Sequence, residues 1–127
     1  MNKVFFDLEW NTGFLDGNSF DEIIGIGAVK TDEEYRQIDG FRRLIRPVIY
    51  RKMNPYIQKI LAITMKDLQG EEPLAAVAKV FFDWCGDCDT LIAWSGNDFG
   101  VLEKNLAHIG MKIPEQLGRY DVQMAYA

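Results

Sequence analysis

The chain opens on an alternation of apolar and polar positions. In KVFFDLEWN, residues 3–11, Phe6, Leu8 and Trp10 fall to one side of an extended segment, and Asp7 and Glu9 fall together on the other. This is the first expected strand. FDEIIGIGAVKTD, residues 20–32, alternates Ile24, Ile26 and Ala28 with Ile23, Gly25 and Gly27, and reads as a second strand closely approached by other groups because of its glycines. TDEE is a turn. YRQIDGFRRLIRP reads as a third strand, bulged at Asp39-Gly40 and stopped at Pro47. The three form an antiparallel meander. The period then changes. In NPYIQKILAIT, Asn54 caps a short helix with Pro55 at its first position, and Thr64 with Asp67 forms a capping-box-like turn. Pro73 opens a longer helix, whose residues Leu74, Val77, Ala78, Phe81 and Cys85 follow the i, i+3, i+4, i+7 pattern. DTLIAWS is a fourth strand. NDFGVLEKNLAHIG is a helix carrying Leu102, Leu106 and Ile109 on one face, with Gly110 as its stop. GRYDVQ is a fifth strand, and MAYA begins another helix.

The expected order is β-β-β-α-α-β-α-β, in one α/β domain over residues 1–127. The fourth and fifth strands are each reached through a helix, so parallel pairing beside the first strand follows. The carboxyl ends of the first and fourth strands then lie together, and that is where open α/β sheets place their functional crevice. Asp7 and Glu9 sit near one of these ends. Asp98 sits just past the other, in the first turn of the following helix. Two like charges on one strand face repel, and burying either unpaired costs several kcal/mol in order of magnitude. A basic side chain could relieve this, and so could Mg²⁺ or Mn²⁺, which prefer carboxylate oxygens. A plain solvated strand end and a helix-dipole acid are the competing readings of these residues.

Composition narrows the choice. Of the 127 residues, 48% are hydrophobic, enough for a core. A net charge of −5 and a pI of about 4.8 give no global basic signature, so a nucleic-acid partner would be met locally or through metal ions. Arg42, Arg43, Arg46, Arg51 and Lys52 are the local candidates, with basic tips on an acidic protein as the alternative. There is neither a signal-peptide pattern nor an apolar run of the roughly 18 residues a membrane span needs, so a cytoplasmic protein without a membrane partner is expected. WCGDC holds Cys85 and Cys88 in a C-x-x-C spacing. A redox pair of the thioredoxin kind opens a helix with its first cysteine, whereas Cys85 ends one, and that favours packing cysteines.

Two segments carry a resemblance to a known family. FFDLEWN resembles the first motif, F-D-x-E, of the DEDD 3′–5′ exonucleases in their DEDDh subtype. WSGNDFGVLEKNL resembles their second, with Leu102 four residues after Asp98 and Trp94 four before it. FRRLIRPVIYRKMNPYIQKILAIT is similar to the segment between them, and the Eri1-like exoribonuclease branch is the nearest match. The resemblance implies a ribonuclease H-like mixed sheet with flanking helices, and two-metal phosphodiester hydrolysis at the 3′ ends of single-stranded RNA or DNA. It makes Asp7, Glu9 and Asp98 the catalytic metal ligands for Mg²⁺ or Mn²⁺. It sets Trp10, Asn11 and Thr12 beside the terminal nucleotide, and Leu61 through Thr64 along its base pocket. Trp10 and Ala62 depart from the family pattern.

The family's third motif, a histidine base and a fourth carboxylate on a helix after the fifth strand, has no counterpart in this sequence. His108 lies on the wrong helix and reads as a surface or packing residue. Asp121 reads as a non-catalytic strand residue. The chain is therefore expected to be a C-terminally incomplete exonuclease domain, lacking the C-terminal helix or helices and weakly active or inactive alone. An uncovered sheet face would be a liability for a monomer, which leaves a homodimer open. The alternative is a non-catalytic nucleic-acid-binding or dimerisation module on the same fold.

Overall fold

A computed structural model describes residues 1–93 and 96–122. The Trp94–Asp98 spacing and the helix start at MAYA lie outside the described residues. The elements are β1 (Lys3–Leu15), β2 (Asn18–Thr31), β3 (Gln37–Leu44), α1 (Pro55–Leu61), α2 (Met65–Leu68), α3 (Leu74–Cys85), β4 (Thr90–Ala93), α4 (Gly96–His108) and β5 (Gly118–Asp121). They form a five-stranded sheet ordered β3-β2-β1-β4-β5. β1, β2 and β3 pair antiparallel, while β4 joins β1, and β5 joins β4, in parallel. This is the mixed α/β sheet of the ribonuclease H-like fold. The capping-box turn at Thr64 is itself a one-turn helix, α2. No helix among the described residues is long and apolar enough to cross a membrane.

The alternation in β1 builds the larger core. Val4, Phe6 and Leu8 pack with Ile23, Ile26 and Phe41 against Leu74, Val77, Ala78, Phe81 and Cys85 of α3 and Leu102 and Leu106 of α4. The buried stripe of α3 is the one its i, i+3, i+4, i+7 pattern predicts. A smaller cluster of Ile24, Met53 and Leu68 lies apart from it, with Ile57, Leu61, Ile63 and Met65 around it.

Two backbone features differ from the sequence reading. β1 and β2 run four and two residues beyond the expected limits, because Asp16 and Gly17 close a two-residue hairpin at φ of 53° and 82°. Positive φ at both central positions is the type I′ geometry that Asp-Gly favours. The bulge expected at Asp39-Gly40 falls one residue earlier: Lys30 faces Asp39 but Thr31 faces Gln37, so that Ile38 is the extra residue of β3. A second irregularity lies opposite Glu9 and Trp10, which face Gly25 and Ile23, so that Ile24 is the extra residue of β2. That insertion lets adjacent isoleucines serve two cores, Ile23 the larger and Ile24 the smaller. The Ile23 N–H is satisfied by Asn105 Oδ1 at 3.0 Å, and the Ile24 carbonyl accepts from Ile45 N at 2.9 Å.

Buried Glu22 holds the loop after β3. Its Oε2 accepts from the N–H groups of Val48 and Ile49, each at 2.8 Å, and its Oε1 accepts from Tyr50 N at 3.0 Å. Tyr50 Oη in turn donates to Phe20 O at 2.7 Å. Three backbone donors on one buried carboxylate make strong charge-assisted bonds. Glu22→Gln keeps the shape but turns one acceptor into a donor facing N–H groups, and is expected to cost about 2 kcal/mol of stability. Urea unfolding monitored through the tryptophans would measure it; a loss below ~0.5 kcal/mol would place the hold on this loop elsewhere.

Candidate active site at the carboxyl ends of the parallel strands

Asp7 and Glu9 project from the same face of β1, as the alternation requires. Asp7 is exposed and Glu9 is half-buried. Across the sheet, Asp7 stands opposite Gly27 and Glu9 opposite Gly25, while Gly27 and Gly25 stand opposite Arg42 and Leu44 of β3. With no side chain at either glycine, the acids border a trough whose far wall carries Arg42 and Arg43. Glu9 Oε1 lies 3.8 Å from Arg42 Nη2. Glu9 Oε2 is buried with no hydrogen-bond partner.

β4 ends at Ala93, in register with Phe6 of β1 and Asp121 of β5. α4 then begins at Gly96 and carries Asp98 in its first turn. A helix start favours an ionised carboxylate. Asp98 is nevertheless only 4% exposed. Its carboxyl is pushed up to about 6 by burial first, then by the charges of Asp7 and Asp121. Desolvation and like charge outweigh the helix dipole here. The fold thus draws Asp7 and Asp98, 91 positions apart in sequence, into electrostatic range, as the parallel pairing of β1 and β4 predicts.

These donors suit a hard divalent cation. They are carboxylate oxygens, one of them is orphaned in the interior, and one acid is held at a cost by two others. Among the described residues, however, no group of three or more His, Cys, Asp or Glu side chains is gathered closely enough to hold a metal ion. The fit lies in the chemistry of the donors and in their shared end of the sheet, not in a completed coordination shell.

The other expected residues fall into three groups. Trp10 packs against the larger core, as its phase in β1 requires, and one side of it borders a cleft of about 290 Å³ shared with Phe20, Asn97 and Lys104. Asn11 is fully buried. Its Nδ2 donates to Lys52 O at 3.0 Å and its Oδ1 accepts from Asn54 N at 2.8 Å. Expected beside the terminal nucleotide, it presents no surface to a ligand and instead ties β1 to the start of α1. Asn54 passes the restraint on, its Oδ1 accepting from Tyr56 N and Ile57 N. Thr12 donates to Asp21 Oδ1 at 2.9 Å. Leu61 ends α1 against the smaller core, and exposed Thr64 caps α2 by accepting from Asp67 N. His108 is in ring contact with Phe20, with centroids 5.9 Å apart.

The cysteines serve the core. Cys85 closes α3 and Cys88 follows in the loop, both unpaired and buried. Burial, reinforced by Cys88, pushes the Cys85 thiol up to about 12. A redox thiol needs the opposite shift and an exposed sulfur, so the thioredoxin-like reading falls away.

Comparison with known proteins places this geometry. The model of the exonuclease family RNase_T matches residues 4–124. The DNA polymerase III PolC-type of Clostridium perfringens (strain 13 / Type A) is 33% identical over 109 residues, which is 84% of this chain and 7% of that protein. Among solved structures, cell-death related nuclease 4 superposes with a TM-score of 0.76 at 15% identity, over 89% of this chain and 42% of that one. The nuclease domain of 3′hExo, a DEDDh family member bound to rAMP, gives 0.75 at 19% identity, over 90% and 62%. E. coli exonuclease I in complex with an oligonucleotide gives 0.75 at 17%, over 95% and 28%. The chain spans less than two thirds of each of these proteins, and the likeness to the solved structures is one of fold.

Proposed function

The chain belongs to the RNase_T exonuclease family, a family of hydrolases, and from that premise we propose that it is a domain of a 3′–5′ exonuclease acting on single-stranded RNA or DNA. The observation that carries the proposal is that Asp7, which shares one face of β1 with Glu9, comes within electrostatic range of Asp98 at the helix start after the neighbouring parallel strand. We assign these three as the ligands of Mg²⁺ or Mn²⁺. When bound, such ions activate water and stabilise the departing 3′ oxygen in phosphodiester hydrolysis.

The chain's own residues supply position and shape. Glu9 turns one oxygen inward and the other toward Arg42. Asn11 locks the catalytic strand to the residues preceding α1, and α1 leads into Leu61–Thr64, the proposed base pocket. Trp10, on the opposite face of β1 from Asp7 and Glu9, offers an aromatic edge to the cleft beside Asn97 and Lys104, on which a base could stack. The motif residues support the Eri1-like branch within the family. The two unpaired cysteines fit a reducing cytoplasm. His108, packed on Phe20 in the last turn of α4, is not assigned as the base that deprotonates the attacking water. Residues 1–127 tested alone are therefore expected to trim 3′ ends weakly.

Calorimetric and thermal titration with Mn²⁺ tests the proposal. At about 100 times Kd, Mn²⁺ is expected to stabilise the protein by ~2.7 kcal/mol, and Asp7→Ala or Glu9→Ala to abolish most of that gain. Because the acids, though near one another, form no group of three close enough to hold a metal among the described residues, a second reading is a non-catalytic nucleic-acid-binding module. That reading predicts oligonucleotide binding indifferent to Mn²⁺.

A further inference from the structure

Arg42 stands in a setting that an ordinary surface arginine does not have. It shares a cross-strand row with Asp7, the glycine of β2 lying between them. Residues in register on adjacent strands face the same way. The catalytic acids and Arg42 therefore look onto one trough, with β1 and β3 about 10 Å apart as two strand spacings. The floor between them is bare backbone. A Cβ at Gly27 would meet nothing within 4 Å, and one at Gly25 would come within 3.4 Å of Glu9 Oε2. The first glycine leaves room above the sheet, and the second leaves room for the Glu9 carboxylate.

The contact of Arg42 with Glu9 is a poor candidate for a structural bond. It spans 3.8 Å to a guanidinium whose side chain is 75% exposed. Pairs of that kind add little stability. A guanidinium is, however, a planar fork of donors matched to phosphate oxygens, and it keeps its charge at every working pH. The neighbouring Arg43 is turned elsewhere, its guanidinium 5.0 Å from the Phe41 ring and bonded to the Arg42 carbonyl. Arg43 also borders the trough, but Arg42 is the arginine in register with Asp7, and its cation is loosely held.

We propose that Arg42 binds a phosphodiester of the substrate strand next to the one being cleaved, that the Gly25–Gly27 backbone is the bed on which that nucleotide lies, and that Glu9 is the partner Arg42 gives up on binding. The proposal rests on the exonuclease reading and names a binding residue beyond the three acids. It accounts for a recognition site in an acidic protein: a guanidinium sits where the strand passes, beside carboxylates that would otherwise repel it.

The test uses the full chain, a 5′-labelled single-stranded oligonucleotide and fluorescence anisotropy in Ca²⁺ across a salt series, with Mn²⁺ affinity measured separately without nucleic acid. Arg42→Gln is expected to weaken oligonucleotide binding about tenfold at low salt and to lower the slope of log Kd against log salt by about 0.7, the loss of one phosphate contact on a single strand. Arg42→Lys, keeping the charge without the fork, is expected to restore the slope and part of the affinity. Mn²⁺ affinity of Arg42→Gln is expected to hold or tighten, because a competitor for Glu9 has gone. An unchanged Kd and slope would overturn the proposal, and so would weaker binding with an unchanged slope or with Mn²⁺ affinity lost in parallel. If the wild-type chain binds neither Mn²⁺ nor oligonucleotide, the exonuclease reading fails first and this proposal with it.

Discussion

Asp7→Ala in the longest natural form of this protein is expected to lower Mn²⁺-dependent trimming of a single-stranded 3′ end by about 10³-fold, roughly 4 kcal/mol of transition-state stabilisation. The expectation rests on position. Asp7 is the exposed member of the acid pair, one residue past the Lys3–Phe6 stretch of β1 that pairs with β4, and its charge is felt by Asp98. Its carboxylate does not fill the core, so its removal opens no cavity, and the variant is expected to keep the wild-type circular dichroism and an unfolding midpoint no lower than that of the wild type. The substitution also removes one of the two charges that push the Asp98 carboxyl up. A titration of Asp98 by NMR should therefore move toward the ordinary aspartate range in the same variant. Trimming that survives Asp7→Ala unchanged would sink the assignment, whatever the family to which the chain belongs.

The parts of this fold legible in the sequence are those that local periodicity writes directly. Val4, Phe6 and Leu8 against Asp7 and Glu9 give the face of β1, and Leu74, Val77, Ala78, Phe81 and Cys85 give the buried stripe of α3. The pairing of β1 with β4 follows from chirality and connection length rather than from any residue, and it brings Asp98 to the acid pair. What the sequence conceals is how polar side chains are spent. The glycines of β2 suggest a crowded strand, which holds at Gly25 beside Glu9 and not at Gly27, where a Cβ would meet nothing within 4 Å. Nor does a glycine say where an insertion falls: the extra residues are Ile24 of β2 and Ile38 of β3, both ordinary strand formers. Asn11 and Glu22 are hidden for a related reason. Each satisfies backbone groups of residues 48–54, which lie 26 to 43 positions away, and no short-range pattern encodes such a bond. The hairpin signal was present in Asp16-Gly17, flanked by Phe14, Leu15 and Phe20, and would have set the true length of β1 and β2.

Asp98→Asn is expected to stabilise the metal-free protein at pH 7.5 by about 3 kcal/mol, a rise of roughly 10 °C in Tm for a chain of this size. The folded protein holds the Asp98 carboxyl at about 6, above the ordinary 3.8 of the unfolded chain. An acid raised on folding binds its proton more tightly in the native state, so its contribution to stability is full below about pH 4. That contribution falls as pH climbs through the interval up to about 6 and stays lost above it. Wild type and variant should therefore unfold at nearly the same urea concentration at pH 4 and diverge toward pH 6.5, the variant ahead. Parallel curves across that range would mean that burial and the neighbouring charges of Asp7 and Asp121 do not act on Asp98 as the geometry requires. Saturating Mn²⁺ should reverse the order at pH 7.5, since an ion between the carboxylates relieves in the wild type what the amide merely avoids. The proposed metal gives a reason for a native acid that costs stability at neutral pH where a helix start does not compensate for it: the compensating charge would arrive from solution.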